Sequence, residues 1–362
     1  MEVGLLMVFQ NFMDGMTDRE AYERDIHLAS LAEPLGFDTL GGVEHHFSNY
    51  AMAPDNMQFL SYMAAKTERI KLLTGAVILP WWESPLRIAE KMILLDHLSK
   101  GRAQFGIGRG LARMEYETFG IDMDEARDRF NESAELIIES LETGVMEGNG
   151  KFFKQARTEI RPRPYASFEG RFYSVAMSSD SVPVVAELGA QMMSFAQKPW
   201  EEMVDHFQSY RDLFMKHHNR PAPPPVCVDF LACDESGERA EALAREHMAN
   251  YYVTVMNHYD MAGDHFRNMK GYGDYADNAV ILAETGLEDA ANNFVDINTW
   301  GTPQQILEKL EARGKFLGDF DLTIQVSYGG MSPENAEKSM RLFAKEVLPE
   351  IQSWKRQAEA AE

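Results

Sequence analysis

Basic charge is what this sequence has least of. Lys and Arg number 35 against 57 Asp and Glu, a formal net charge of −22 over 362 residues. A nucleic-acid backbone needs a basic face, so nucleic acid is excluded as the main partner, and an anionic membrane surface is disfavoured for the same reason. Cysteine is nearly absent. Cys227 and Cys233 cannot build a disulfide framework or a cysteine-rich metal site, and they flank an apolar run that suits buried free thiols. No stretch approaches the roughly 18 apolar residues of a membrane-spanning helix. The opening residues Met1 to Leu6 lack the basic segment and apolar core of a secretory signal, so a cytoplasmic location is expected. There is no HExxH helix and no G-x-G-x-x-G dinucleotide fingerprint.

What is present is an alternation of short apolar runs with longer amphipathic ones. Strands are expected at Val3–Phe9, Thr39–Val43, Lys71–Leu79, Arg102–Ile107, Phe172–Met177, Gln191–Ala196, Pro225–Leu231 and Leu322–Ser327. Helices are expected between them. Thr17-Asp18-Arg19-Glu20 reads as a capping box, with a helix running to Leu35 and stopped by Gly36. Ser84-Pro85, Thr302-Pro303 and Ser332-Pro333 place a cap and then a proline at a first turn. Asp124 to Glu142 is a strong helix. Eight strands that are apolar throughout, each followed by a helix, fit a parallel (β/α)8 TIM barrel with insertions, and a doubly wound sheet is the alternative. The chain is expected to form one such barrel over residues 1–362. Two stretches exceed the repeat: Gly148 to Phe172, and the Gly-, Asp- and Asn-rich 257–299, the second expected to be an active-site lid. The tail from Arg356 is expected to fray.

Several short runs carry possible chemistry. Glu44-His45-His46-Phe47 follows the second strand, at the barrel end where active sites lie. A histidine there suits a general acid or base, although a packing histidine explains the run equally well. Adjacent residues point in different directions, so this run does not form a metal site and no metal is expected. Gly106-Ile107-Gly108-Arg109-Gly110 follows the fourth strand; its glycines admit a close ligand and Arg109 suits a phosphate, while a tight turn is the plain alternative. Gly75-Ala76 would leave room for a flat ring. Met177-Ser178-Ser179-Asp180-Ser181 suits either a phosphate or an ordinary helix cap. Trp81-Trp82 would wall a pocket or simply pack. A candidate base, a glycine-lined arginine and a serine cluster thus fall on one rim, an arrangement that asks for a flat, phosphorylated cofactor.

Taken together these runs resemble the bacterial luciferase family, the flavin-dependent luciferase-like monooxygenases. The likeness extends from Val3-Gly4-Leu5-Leu6 through Ala32 to Asp38, Glu44 to Phe47, Gly75 to Pro80, Leu95 to Arg102 and Phe105 to Leu111, and ends with Trp300 to Pro303 and Phe343 to Pro349. It implies an enzyme that takes reduced FMN from a separate NAD(P)H:flavin reductase and uses O2 to oxidise a small apolar substrate. It implies that His45 is the acid or base beside the flavin, with Glu44 and His46 supporting it. Arg109, with Gly108 and Leu111 beside it, would hold the FMN phosphate together with Ser178 and Ser179. Gly75 and Ala76 would lie under the isoalloxazine, where the family often has a strained, sometimes cis, peptide.

The resemblance also implies a homodimer or homotetramer. Gly108 stands where luciferases carry a reactive cysteine, Ser178 where they carry Glu, and Ala112 where they carry a bulky residue. These departures imply a reaction without light. The alternative is a deazaflavin-dependent hydride-transfer enzyme of the same barrel family.

Overall fold

The computed structural model describes residues 1–261, 263, 266, 272–273 and 286–354. The expected lid at 257–299 is therefore described only in part, and the tail from Arg356 lies outside the described residues. In chain order the strands are β1 (Val3–Met7), β2 (Thr39–Gly42), β3 (Lys71–Thr74), β4 (Val77–Ile78), β5 (Ala103–Gly108), β6 (Val145–Asn149), β7 (Lys154–Glu159), β8 (Phe172–Val175), β9 (Gln191–Phe195), β10 (Val226–Cys233), β11 (Thr299–Gly301) and β12 (Asp321–Gln325). The main sheet runs β10-β12-β1-β2-β3-β5-β8-β9, and β9 pairs back onto β10. All of these pairings are parallel. The sheet is thus a closed eight-stranded barrel, and the doubly wound alternative is excluded.

Every barrel strand has apolar residues on both faces because one face fills the barrel and the other meets the outer helices. All of β10, from Val226 to Cys233, is buried. Its one charged residue, Asp229, is fully buried and accepts from Arg313 at 2.7 Å on the helix Pro303–Leu317. An uncompensated charge there would be strongly destabilising, so this pair ties that helix to the wall. Both cysteines are free and buried, and burial pushes each thiol above its ordinary pKa.

The helices that matter to the site are α1 (Asp18–Leu31), α2 (Asn56–Ala64), α3 (Pro85–Ser99), α4 (Arg113–Phe119), α5 (Ala126–Thr143), α6 (Val182–Glu187), α7 (Val204–His218), α8 (Gly237–Leu243) and α9 (Ala249–His258), followed by the helix Leu287–Ile297. Thr17 forms the capping box expected of it; Thr302, expected as a cap before proline, forms a full box with Gln305, and Ser332 caps Asn335 N. Ser84 precedes proline as expected and takes the cap position, but its side chain makes no capping hydrogen bond.

The structure corrects four local expectations. The α1 helix ends at Leu31 rather than Leu35; Ala32 to Gly36 form turns, and Gly36, at φ 94°, sits past the break. The Lys71–Leu79 run is two strands, because the backbone turns at Gly75–Ala76. The Gly148–Phe172 stretch holds the end of an antiparallel hairpin, β6–β7, lashed to α5 by Glu132, which accepts from Phe152 N and Phe153 N at 3.1 and 2.7 Å. None of that hairpin lines the cavity described below. Helix α4, directly after the glycine-rich run, was not anticipated at all.

Candidate active site

A cavity of about 710 Å³ opens at the C-terminal ends of the barrel strands. That is within the usual range for a site holding a cofactor or drug-sized ligand. His45 and Arg109 both line it, so the two groups meet one space as the resemblance implies. Glu44, Gly75, Ala76, Gly108 and Leu111 line it too. Behind them the walls are apolar and aromatic, with Tyr50, Phe230, Tyr251, Tyr252 and Phe294 among the lining residues.

The β2 end presents Glu44, His45 and His46 in turn, and each goes a different way. Glu44 is 2% exposed and accepts from Ile78 N at 2.9 Å, Trp81 Nε1 at 2.7 Å and Trp82 Nε1 at 3.0 Å. His46 Nε2 sits 3.3 Å from the same carboxylate, with its ring against Trp81 and Phe119. Trp81, Trp82 and His46 are therefore a clamp on Glu44, and none of the three lines the cavity. His45 turns inward. Its amide donates to Ala53 O, its Nδ1 lies 3.1 Å from Glu115 Oε1, and its Nε2 lies 3.1 Å from the Tyr259 hydroxyl.

Glu115 comes from α4 and is fully buried; it also accepts from His46 N at 2.6 Å. Burial raises its pKa, but the His45 ring, then His258 and the His46 amide outweigh that and hold it below its ordinary value. The carboxylate is thus ionised beside His45, which it orients. His258, the last residue of α9, approaches from the other side, its Nε2 3.7 Å from Glu115 Oε1. Burial and then the His45 ring push the His258 imidazole down to about 3 against the pull of Glu115, so it is neutral. Tyr50 stacks on the His258 ring at 4.3 Å and bonds Tyr251 hydroxyl to hydroxyl at 2.7 Å. Glu115, His258 and Tyr259 escaped the sequence reading, since residues so far apart in the chain carry no common spacing.

At the other end, the glycine-rich run needs its glycines. A Cβ on Gly106 would stand 2.0 Å from Thr74 O, and Gly110 adopts φ 81°. The hydroxyls of Tyr116 and Tyr272 donate to the carbonyls of Arg109 and Gly110, which pins the segment. The half-buried Arg109 guanidinium lies 3.8 Å from the Tyr272 ring centroid.

The serine cluster is arranged differently from its expected forms. Ser178 is buried and bonded to Ser181 Oγ at 2.8 Å, while Ser179 is exposed; neither lines the cavity, but Ser181 does. Ser181 makes no side-chain cap for α6 and instead accepts from Arg127 Nη2 at 3.1 Å. The ordinary-cap alternative therefore fails, and a second arginine, unsuspected from sequence, stands beside the phosphate candidates. The Gly75–Ala76 peptide is cis, and Asn56 donates to Ala76 O at 3.0 Å.

The sequence profile of the luciferase-like monooxygenases matches residues 1–319. The chain belongs to the luciferase-like monooxygenase family. It is thus an enzyme of a flavin-dependent oxidoreductase family. It is 26% identical over 341 residues to an alkanal monooxygenase alpha chain of Photobacterium leiognathi, covering 93% of this chain and 95% of that one. It is also 26% identical over 361 residues to the oxygenase component of a flavin-dependent trigonelline monooxygenase of Acinetobacter baylyi, covering 96% and 95%. Among solved structures, the monooxygenase RslO1 of Streptomyces bottropensis superposes with a TM-score of 0.78 at 27% identity, over 97% of this chain and all of that one. No described helix is long and apolar enough to cross a membrane.

Proposed function

We propose that this chain is the oxygenase component of a two-component, FMN-dependent monooxygenase that oxidises a small apolar molecule without emitting light. One observation carries the reading: a single cavity is lined by an imidazole held by an ionised carboxylate, by the half-buried guanidinium of Arg109 and by Ser181, whose hydroxyl accepts from Arg127. The residues fit a flavin mononucleotide. Arg109 and Ser181, with Arg127, Ser178 and Ser179 near them, would hold the phosphate, since a guanidinium fork pairs two phosphate oxygens. Gly75, Ala76 and Gly108 would leave a flat bed for the ring, with Leu111 at its margin. Bound in reduced form, FMN would supply the electrons that let O2 oxidise the substrate.

The protein's own part is then placement and proton handling. His45 lines the cavity with its Nε2 beside the Tyr259 hydroxyl, and Glu115 holds the ring and compensates the charge that arises when the ring takes a proton. Glu44 and His46 position the loop that carries His45. The aromatic lining keeps water from the reacting centre and suits an apolar substrate. Gly108, in the place of a reactive cysteine, supports the dark reaction. The component name of the Acinetobacter relative supports a partner reductase that delivers reduced flavin. Tyr62, Leu94 and Leu98, exposed on α2 and α3, support a homodimer or homotetramer.

The test is anaerobic binding followed by oxygen exposure. Reduced FMN from any flavin reductase should bind one per chain, and oxygen uptake should then depend on an added apolar aldehyde or ketone. Hydride transfer from reduced deazaflavin, with no oxygen uptake with FMN, would replace this reading with the deazaflavin one.

A further inference from the structure

We infer that His45, Glu115 and His258 together form a site for a divalent transition-metal ion of the zinc type. One ligating atom of each residue lies within 4.8 Å of those of the other two, and the nitrogens nearest the Glu115 carboxylate are Nδ1 of His45 and Nε2 of His258. Two of the edges are 3.1 and 3.7 Å, from Glu115 Oε1 to His45 and to His258. An ion about 2.0–2.2 Å from each donor needs edges of roughly this length. Two imidazoles and one carboxylate are a donor set that zinc and its neighbours favour.

The cluster does not rest on proximity alone. His258 Nε2 is buried without a hydrogen-bond partner and looks toward Glu115. A buried polar atom left unsatisfied is costly, and an ion between the three donors would satisfy it. The rings are also held from behind in the way metal-ligating histidines are. His45 Nε2 meets the Tyr259 hydroxyl and His258 Nδ1 meets Ser48 Oγ, each at 3.1 Å, and Glu115 is held by the His46 amide. The three ligands come from the loop after β2, from α4 and from the end of α9. Arguing from the spacing within residues 44–46 therefore could not reveal them.

Occupancy would switch the enzyme off. A neutral imidazole has one lone pair; coordination at Nδ1 uses it and leaves the proton on Nε2, the nitrogen beside the Tyr259 hydroxyl. That ring cannot accept a further proton. The inhibition rests on the acid–base role of His45 proposed above, whereas the binding does not, and the test separates them.

Chelator-stripped, flavin-free protein is titrated with Co2+, and then with Zn2+ in competition. One equivalent of Co2+ should bind, with the visible d–d bands of a low-coordinate nitrogen and oxygen site, and Zn2+ should displace it. His258→Gln should weaken uptake by more than the roughly 10–100-fold expected for an outer-shell change, and Ser48→Ala should fall within that range. No saturable uptake, or uptake unchanged in both variants, overturns the site. Uptake as described together with undiminished oxygenase turnover in the Zn2+-loaded protein overturns the acid–base role of His45 and leaves the site standing.

Discussion

The two ends of the cavity are built on opposite plans. At the Arg109 end a permanent charge is half-exposed, and its backbone is held by neutral tyrosine hydroxyls. At the His45 end two imidazoles flank one carboxylate with no solvent exposure, and of these three groups His45 lines the cavity while Glu115 and His258 lie behind it. The first plan suits binding, where a fixed charge at the rim meets a fixed charge on the ligand. The second suits chemistry, where low dielectric makes each proton position matter to its neighbours. Damage should therefore remain local at one end and spread at the other.

The sharpest break in that contrast is His45→Ala. Turnover should fall by about 100-fold or more, the usual scale for a lost acid or base, while reduced FMN binds nearly as before. A rate equal to the parent's would take the chemistry away from this end. Next is Arg109→Ala, where binding of reduced FMN, followed by fluorescence or calorimetry, should weaken by about 1.5–3 kcal/mol. Unchanged affinity would remove Arg109 from the phosphate. Glu115→Gln keeps the shape and loses the charge. We expect kcat to drop roughly tenfold with little change in KM, because the carboxylate acts through His45 and not on the substrate. A change confined to KM would instead place Glu115 against the substrate.

A further effect concerns acid stability. The folded state holds His258 near 3 against an ordinary value of 6.5, so between those values the unfolded chain binds the extra proton. Stability should therefore decline as pH falls through that window, with a slope contribution of up to about 1.4 kcal/mol per pH unit. Denaturant unfolding of His258→Gln, with chelator present, should show a shallower decline than the parent. Parallel curves would mean that His258 carries its proton in the native state.

Much of the barrel was legible because apolar strands, capping threonines and helix-starting prolines are local signals. The eight barrel strands lie where the alternation puts them, and only β3 broke, at two small residues whose backbone turn leaves no hydrophobic mark. The site was legible where its residues sit directly after strands, as with His45 and Arg109. Glu115 was hidden in a seven-residue helix too short to show a period. His258 and Tyr259 come from α9 and its end, which only closure of the barrel brings over the second strand. Arg127 was hidden for a different reason: on a strongly amphipathic helix an arginine reads as solvated surface until its Ser181 contact is seen.

The Glu44 clamp has a consequence for how the family can vary. One side chain fastens the histidine loop to the Ile78 amide, two residues beyond the proposed flat bed at Ala76, and to the indoles of Trp81 and Trp82. The proposed base and the proposed platform for the flavin ring are thus not independent modules. Substitutions at Trp81, Trp82 or Glu44 should be strongly epistatic with changes at either, and engineering that reshapes one will have to carry the other along.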